Sequence, residues 1–144
     1  MPRVRNVGTV MVVLGGALLV CALAFLPYFE ARRGVHVFGG SSEATLWDLT
    51  TREPFILTAL ASAAIALAAA SLLIDAAPLQ AVTLALTFYL LGRAFPTGAA
   101  RYQIYGVGFW LTTAAAAAMA AGALLATVGS VLPRASAKRL ATPA

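Results

Sequence analysis

Four apolar runs, at residues 7–26, 55–74, 79–95 and 107–132, take up most of this 144-residue chain. A helix needs about 20 apolar residues to cross the hydrocarbon core of a bilayer, and about 17–25 are tolerated. The third run stands at the short limit, and the fourth is long enough to tilt or to extend past the interface. Pro27, Pro54, Pro78, Pro96 and Pro133 fall at or near run ends. Proline removes a donor and clashes with the preceding turn inside a helix but is tolerated at its edges, so the punctuation fits four helices. The expected fold is all-α: one integral membrane domain over residues 1–144, with four transmembrane helices in an antiparallel bundle. One longer outer loop, residues 27–54, is expected to hold a short β-hairpin or helical turn, and residues 133–144 form a basic tail.

Composition points the same way. The chain is 61% hydrophobic and 10% charged, whereas a soluble domain carries roughly a quarter charged residues and under half apolar ones. Lipid can solvate that much apolar surface where a compact globule in water cannot hide it. The net charge of +5 comes from Lys and Arg spread over segment ends and loops. With no basic helix and no aromatic–basic alternation, the pattern sets membrane topology and does not suit nucleic acid. The single cysteine, Cys21, forms no intrachain disulfide and supplies no multi-Cys metal motif. The first run has a faint cleavage-site echo in Ala22 and Ala24. It is longer than the roughly 7–15 residues of a signal core, so it is expected to be a retained span.

Four spans put both termini on one side. Arg3, Arg5, Arg134, Lys138 and Arg139 lie on that side, and Arg32, Arg33, Arg52, Arg93 and Arg101 on the other, a tie under the positive-inside rule. Loop length breaks it: residues 74–79 make a tight turn while residues 27–54 are long enough for a small outer structure, so both termini are expected in the cytoplasm. Small residues recur every four positions at Ala118, Gly122, Ala126 and Ser130, and again at Ser62, Ala66 and Ala70. Such stripes let backbones approach and gain dispersion contacts, although an Ala-rich chain also produces them by chance.

Intramembrane chemistry usually shows as ionisable residues in mid-span. Asp75 and Arg93 stand at span ends instead, where polar groups reach the interface. Gln80, Thr83, Thr87 and Tyr89 give the third run a polar face, which suits hydrogen bonding to a neighbouring helix or, in the alternative, the lining of a pore. The segment 39–42 lacks the lysine and context of a phosphate loop. His36, Glu43 and Asp48 match no established metal spacing, and a solvated loop is the plainer reading. No cofactor, metal or catalytic residue is expected.

The stretch "HVFGGSSEATLWDLTTREP", residues 36–54, holds most of the polar variety. "GVHVF" alternates in a β-compatible way, "GGSS" signals a turn, and "EATLWDL" suits a short strand or one helical turn. Phe38, Trp47 and Asp48 in this loop, with Arg101, Tyr102 and Tyr105 in the last loop, form a candidate docking surface for another protein or an anionic lipid. Tryptophan is a frequent anchor of protein contacts, and beside a membrane it also anchors at headgroup level.

This layout resembles tetraspan proteins of the claudin type: cytoplasmic termini, a large first outer loop, a tight inner turn and a smaller second outer loop. Leu46-Trp47 is similar to the Gly-Leu-Trp of that loop, with Thr45 replacing the glycine and the loop's two cysteines absent. The Ala-rich, Arg-over-Lys style also resembles small membrane proteins of high-GC bacteria, some of which are accessory subunits of transport or envelope assemblies. The resemblance implies a non-catalytic accessory or stabilising subunit of a larger inner-membrane complex, in contact with membrane lipids. A small oligomeric transporter or channel is the alternative, and a lipid-modifying enzyme using His36, Glu43 and Asp48 a third.

Overall fold

The computed structural model describes residues 2–31, 43–49, 52–74, 76–94 and 103–140. In chain order the elements are α1 (Pro2–Phe25), β1 (Phe29–Ala31), β2 (Glu43–Ala44), α2 (Leu46–Leu49), α3 (Arg52–Leu73), α4 (Ala77–Ala94), β3 (Gln103–Tyr105) and α5 (Val107–Leu140). Among the described residues three helical segments are long and apolar enough to cross a membrane: Arg3–Phe25, Arg52–Leu73 and Val107–Val131. The fourth long helix, α4, has 18 residues and carries Gln80, Thr83, Thr87 and Arg93.

Pro78 is the second residue of α4 and Pro54 the third of α3, positions where a missing N–H leaves no helical bond unmade. Pro133 differs from expectation. The helix expected to stop at residue 132 continues through it to Leu140. A proline forbids one backbone bond but not the turns beyond it, and Ala135, Ala137, Lys138, Arg139 and Leu140 are good helix formers.

Helix α1 packs on α3 and α5, and α4 packs on α3 and α5, so the four long helices meet in a ring. The sheet lies at one end, here the sheet end, where α1 and α4 finish and α3 and α5 begin. The turn from α3 to α4 and both helical termini lie at the other, the terminal end. Helices α1 and α5 run antiparallel at very close range. A Cβ built on Gly8 would meet the carbonyl oxygen of Gly122 and lie 2.5 Å from the Ala126 nitrogen. One on Gly122 would lie 2.7 Å from the Gly8 oxygen. These backbones touch because neither residue has a side chain.

The core changes character along the ring. Towards the sheet end it is filled by Leu19, Leu23, Leu57, Leu90 and Phe109, all buried. Towards the terminal end the buried set includes Thr9, Ser71, Gln80 and Thr83. In α3 the inward residues are Leu57, Ala61, Ala64, Ala68 and Ser71. That corrects the expected stripe: Ser62 and Ala66 are exposed and Ala70 is half-buried. A helix dotted with alanine offers several smooth faces, and the partner's shape selects among them.

The sheet has the order β2-β1-β3, both pairs antiparallel. Phe29 stands opposite Ala44 on one side and Tyr105 on the other. The strand opposite β2 is therefore residues 29–31, whereas "GVHVF" lies outside the described residues. The ladder continues as Tyr28 N–H donates to the Ala44 carbonyl (2.9 Å), Gly106 N–H to Tyr28 (3.0 Å) and Gly108 N–H to Pro27 (2.8 Å). A Cβ on Gly106 would sit 2.5 Å from the Pro27 oxygen, so this crossing needs glycine.

Candidate functional site

The sheet joins the segment between α1 and α3 to the segment between α4 and α5, with β1 in the middle holding β2 on one side and β3 on the other. Directly after β2, Thr45 opens the four-residue helix α2. Its N–H and its hydroxyl both donate to Oδ2 of Asp48 at 2.7 Å, and Asp48 N–H returns a bond to the Thr45 carbonyl (3.2 Å). This is one half of a capping box: the Asp48 carboxylate, three residues on, accepts from the backbone N–H of Thr45 at the helix start. The hydroxyl and the N–H of Thr45 hold the Asp48 carboxyl below its usual range. A carboxyl lowered in this way supports the turn above its ordinary pKa, and that support is lost as pH falls through the lowered value.

The turn splits its two central residues. Leu46 is buried against the core cluster, while Trp47 is 40% exposed. Asp48 is exposed too, but its carboxylate serves its own turn. Tyr105 lies in an aromatic cluster, half-buried, its ring centroid 4.3 Å from Phe109 and 5.7 Å from Phe29. Of the expected docking residues, the structure thus brings Trp47, Asp48 and Tyr105 to one sheet end; Phe38, Arg101 and Tyr102 lie outside the described residues. Phe25, Phe55 and Trp110, also at the sheet end, are exposed.

Tyr28 and the Glu53–Arg93 pair carry weight that the sequence did not announce. Tyr28 packs edge-on against Phe29 and Phe109, and its hydroxyl donates to the Ala94 carbonyl at 3.4 Å. Burial, with the nearby Tyr105 and Glu53 charges adding to it, pushes its hydroxyl up to about 12. Because an unfolded tyrosine ionises near 10, the support from neutral Tyr28 is complete below about pH 10 and lost as pH rises through about 12. Arg93 Nη2 donates to both carboxylate oxygens of Glu53 at 2.6 Å, joining the end of α4 to the start of α3. These partners are 40 residues apart, and no local signal pairs them.

Of the expected packing stripe on α5, Gly122, Ala126 and Ser130 are buried and Ala118 is half-buried. Gly122 and Ala126 lie against Gly8, and the Ser130 hydroxyl donates to Thr127 of its own helix at 2.7 Å. On α4, Gln80, Thr83 and Thr87 turn into the ring, whereas Tyr89 is exposed. The outward residues include Val82, Ala85, Phe88 and Gly92. Among the described residues no group of three His, Cys, Asp or Glu side chains is placed to hold a metal, and His36 lies outside them.

No protein family, no curated protein and no solved structure matches this chain. These comparisons lend no support to the resemblance to claudin-type proteins.

Proposed function

We propose that this chain is a non-catalytic accessory subunit of a larger bacterial inner-membrane assembly, a lipid or solute transport complex, and that it docks through the sheet end. The observation that carries this reading is the presentation of Trp47. The three-stranded sheet ties β2 and β3 to β1, and the hydrogen bonds from Thr45 to Asp48 hold a turn whose aromatic side chain stands outward from a buried base. A tryptophan held in place before binding loses little freedom on contact.

In this reading α4 is a fourth span. It starts within four residues of the end of α3, and its Arg93 returns to Glu53 in the first turn of α3. It therefore retraces α3 and shares its depth; its 18 residues rise about 27 Å, close to the roughly 30 Å of a hydrocarbon core. Both termini then lie on one face, proposed to be cytoplasmic, with the sheet outside. An oligomeric channel is the weaker reading, because three of the four polar residues that would line a path between copies, Gln80, Thr83 and Thr87, face the chain's own helices and Tyr89 alone is exposed.

The test is Trp47→Ala, with partners recovered in mild detergent at matched membrane levels and compared with the unaltered chain. A buried interface tryptophan contributes about 2 kcal/mol, which weakens binding some thirtyfold, so recovery should fall. Equal recovery of partners would reduce Trp47 to a headgroup anchor and remove the basis of the proposal.

A further inference from the structure

Gln80 sits in the first turn of α4 and is 3% exposed, yet neither its carboxamide nitrogen nor its oxygen has a hydrogen-bond partner. A buried polar atom left in that condition has given up its hydrogen bonds to water without replacement. Both belong to the wall of a small cavity at the terminal end, where all four long helices meet. Thr9 of α1, Ser71 of α3, and Gln80 and Thr83 of α4 supply its polar lining, while Ala123 and Ala126 close the α5 side. The cavity measures ≈ 10 Å³ as space for the centre of a water-sized sphere, room for about one water.

The direction of the surrounding hydrogen bonds defines what fits. Thr9 Oγ1 donates to the Arg5 carbonyl at 3.0 Å, Ser71 Oγ to Ala68 at 2.7 Å and Thr83 Oγ1 to Leu79 at 2.8 Å. Each hydroxyl proton is thus committed to its own helix, and what these side chains turn to a guest is acceptor lone pairs. Gln80 adds one more acceptor, Oε1, and the only lining side-chain donors not already engaged, on Nε2. An anion would meet a wall of acceptors. A cation would meet no carboxylate in the lining and would leave the Nε2 donors unmatched. A water, with two donors and two acceptor sites, complements the set.

We propose that Gln80, Thr9, Ser71 and Thr83 form a specific site for one water molecule. The water accepts from Gln80 Nε2 and donates to the wall oxygens, linking α4 through solvent to α1 and α3. Three such bonds are usual for a buried water. The site also accounts for a glutamine buried among apolar helices, where leucine would serve packing alone.

The experiment uses the full chain in lipid nanodiscs, with water itself as the probe. Magnetisation transfer from water to the Gln80 side-chain amide should give a cross-peak from a long-lived water, and the Gln80→Leu variant should melt at a lower temperature. If the amide had no partner, Gln80→Leu would instead raise the melting temperature, which overturns the proposal. A lowered melting temperature without the water cross-peak overturns it as well, because the amide would then bond a side chain directly. Ala123→Val, which fills the cavity and keeps Gln80, should abolish the cross-peak; a cross-peak unchanged in that variant would place the water elsewhere.

Discussion

Helices α1 and α5 are the first and last of the chain and meet backbone to backbone, whereas α3 and α4 follow one another and meet through side chains. Along the first seam Gly8 lies against Gly122 and Ala126, Gly15 against Ala115 and Met119, and Gly129 against Arg5. In the second pair Leu57, Ala61, Ala64 and Ala68 of α3 and Thr87, Leu90 and Ala94 of α4 are the buried residues. The one glycine of α4, Gly92, has open space where a Cβ would go. The difference follows from chain connection. A pair joined by a tight turn is held close almost without ordering loss, and ordinary contacts suffice. A pair joined only through the rest of the chain must outcompete lipid, which is as apolar as leucine. Close backbone approach supplies the dispersion contacts that decide that competition.

Gly8→Ala should break the first seam and is the largest expected effect. The new Cβ would strike backbone atoms of Gly122 and Ala126, which cannot rotate away. Denaturation in detergent should show a loss of about 2–3 kcal/mol. A neutral result would mean that α1 and α5 do not meet at backbone distance.

Arg93→Gln should weaken the second pair less. Both partners of its ion pair are more than a third exposed, Arg93 37% and Glu53 42% by side chain, and solvent screening limits such a pair to about 0.5–1 kcal/mol. The loss should shrink further in high salt. A loss as large as that of Gly8→Ala would show that α3 and α4 depend on this tie and not on their turn.

Gly92→Ala is the smallest expected change and has the opposite sign. With nothing within 4 Å of the new methyl, the helix preference of alanine remains and should stabilise by about 0.5 kcal/mol. Destabilisation instead would mean that another chain or a lipid already occupies that face.

At the candidate site, the sequence left "EATLWDL" as a short strand or one helical turn, and the structure has a strand at Glu43–Ala44 and a turn at Leu46–Leu49; it singled out Trp47 because an isolated tryptophan is a local feature. It did not foresee that the carboxylate of Asp48, which it grouped with the docking residues, also closes the turn with Thr45. The T-x-x-D spacing was the available signal for that role. Tyr28 left no signal at all, since its burial depends on Phe109 and Ala94, which reach it from other helices.

The positions of the long helices were determined by sequence alone, because apolar transfer energy adds residue by residue along a run and needs no partner. The same additivity explains why α5 was placed correctly at Val107 yet ended too early at Pro133, a local rule that the helix overrides. Which faces turn inward was decided only by the tertiary structure. On a helix apolar all round, every face satisfies lipid equally, so Ala61, Ala64 and Ala68 of α3 prevail over Ser62 and Ala66 through the shape of their neighbours. The pairing of β1 with both β2 and β3 was likewise invisible beforehand: strands of two or three residues carry almost no pattern, and their hydrogen bonds form only once the helices bring the loops together.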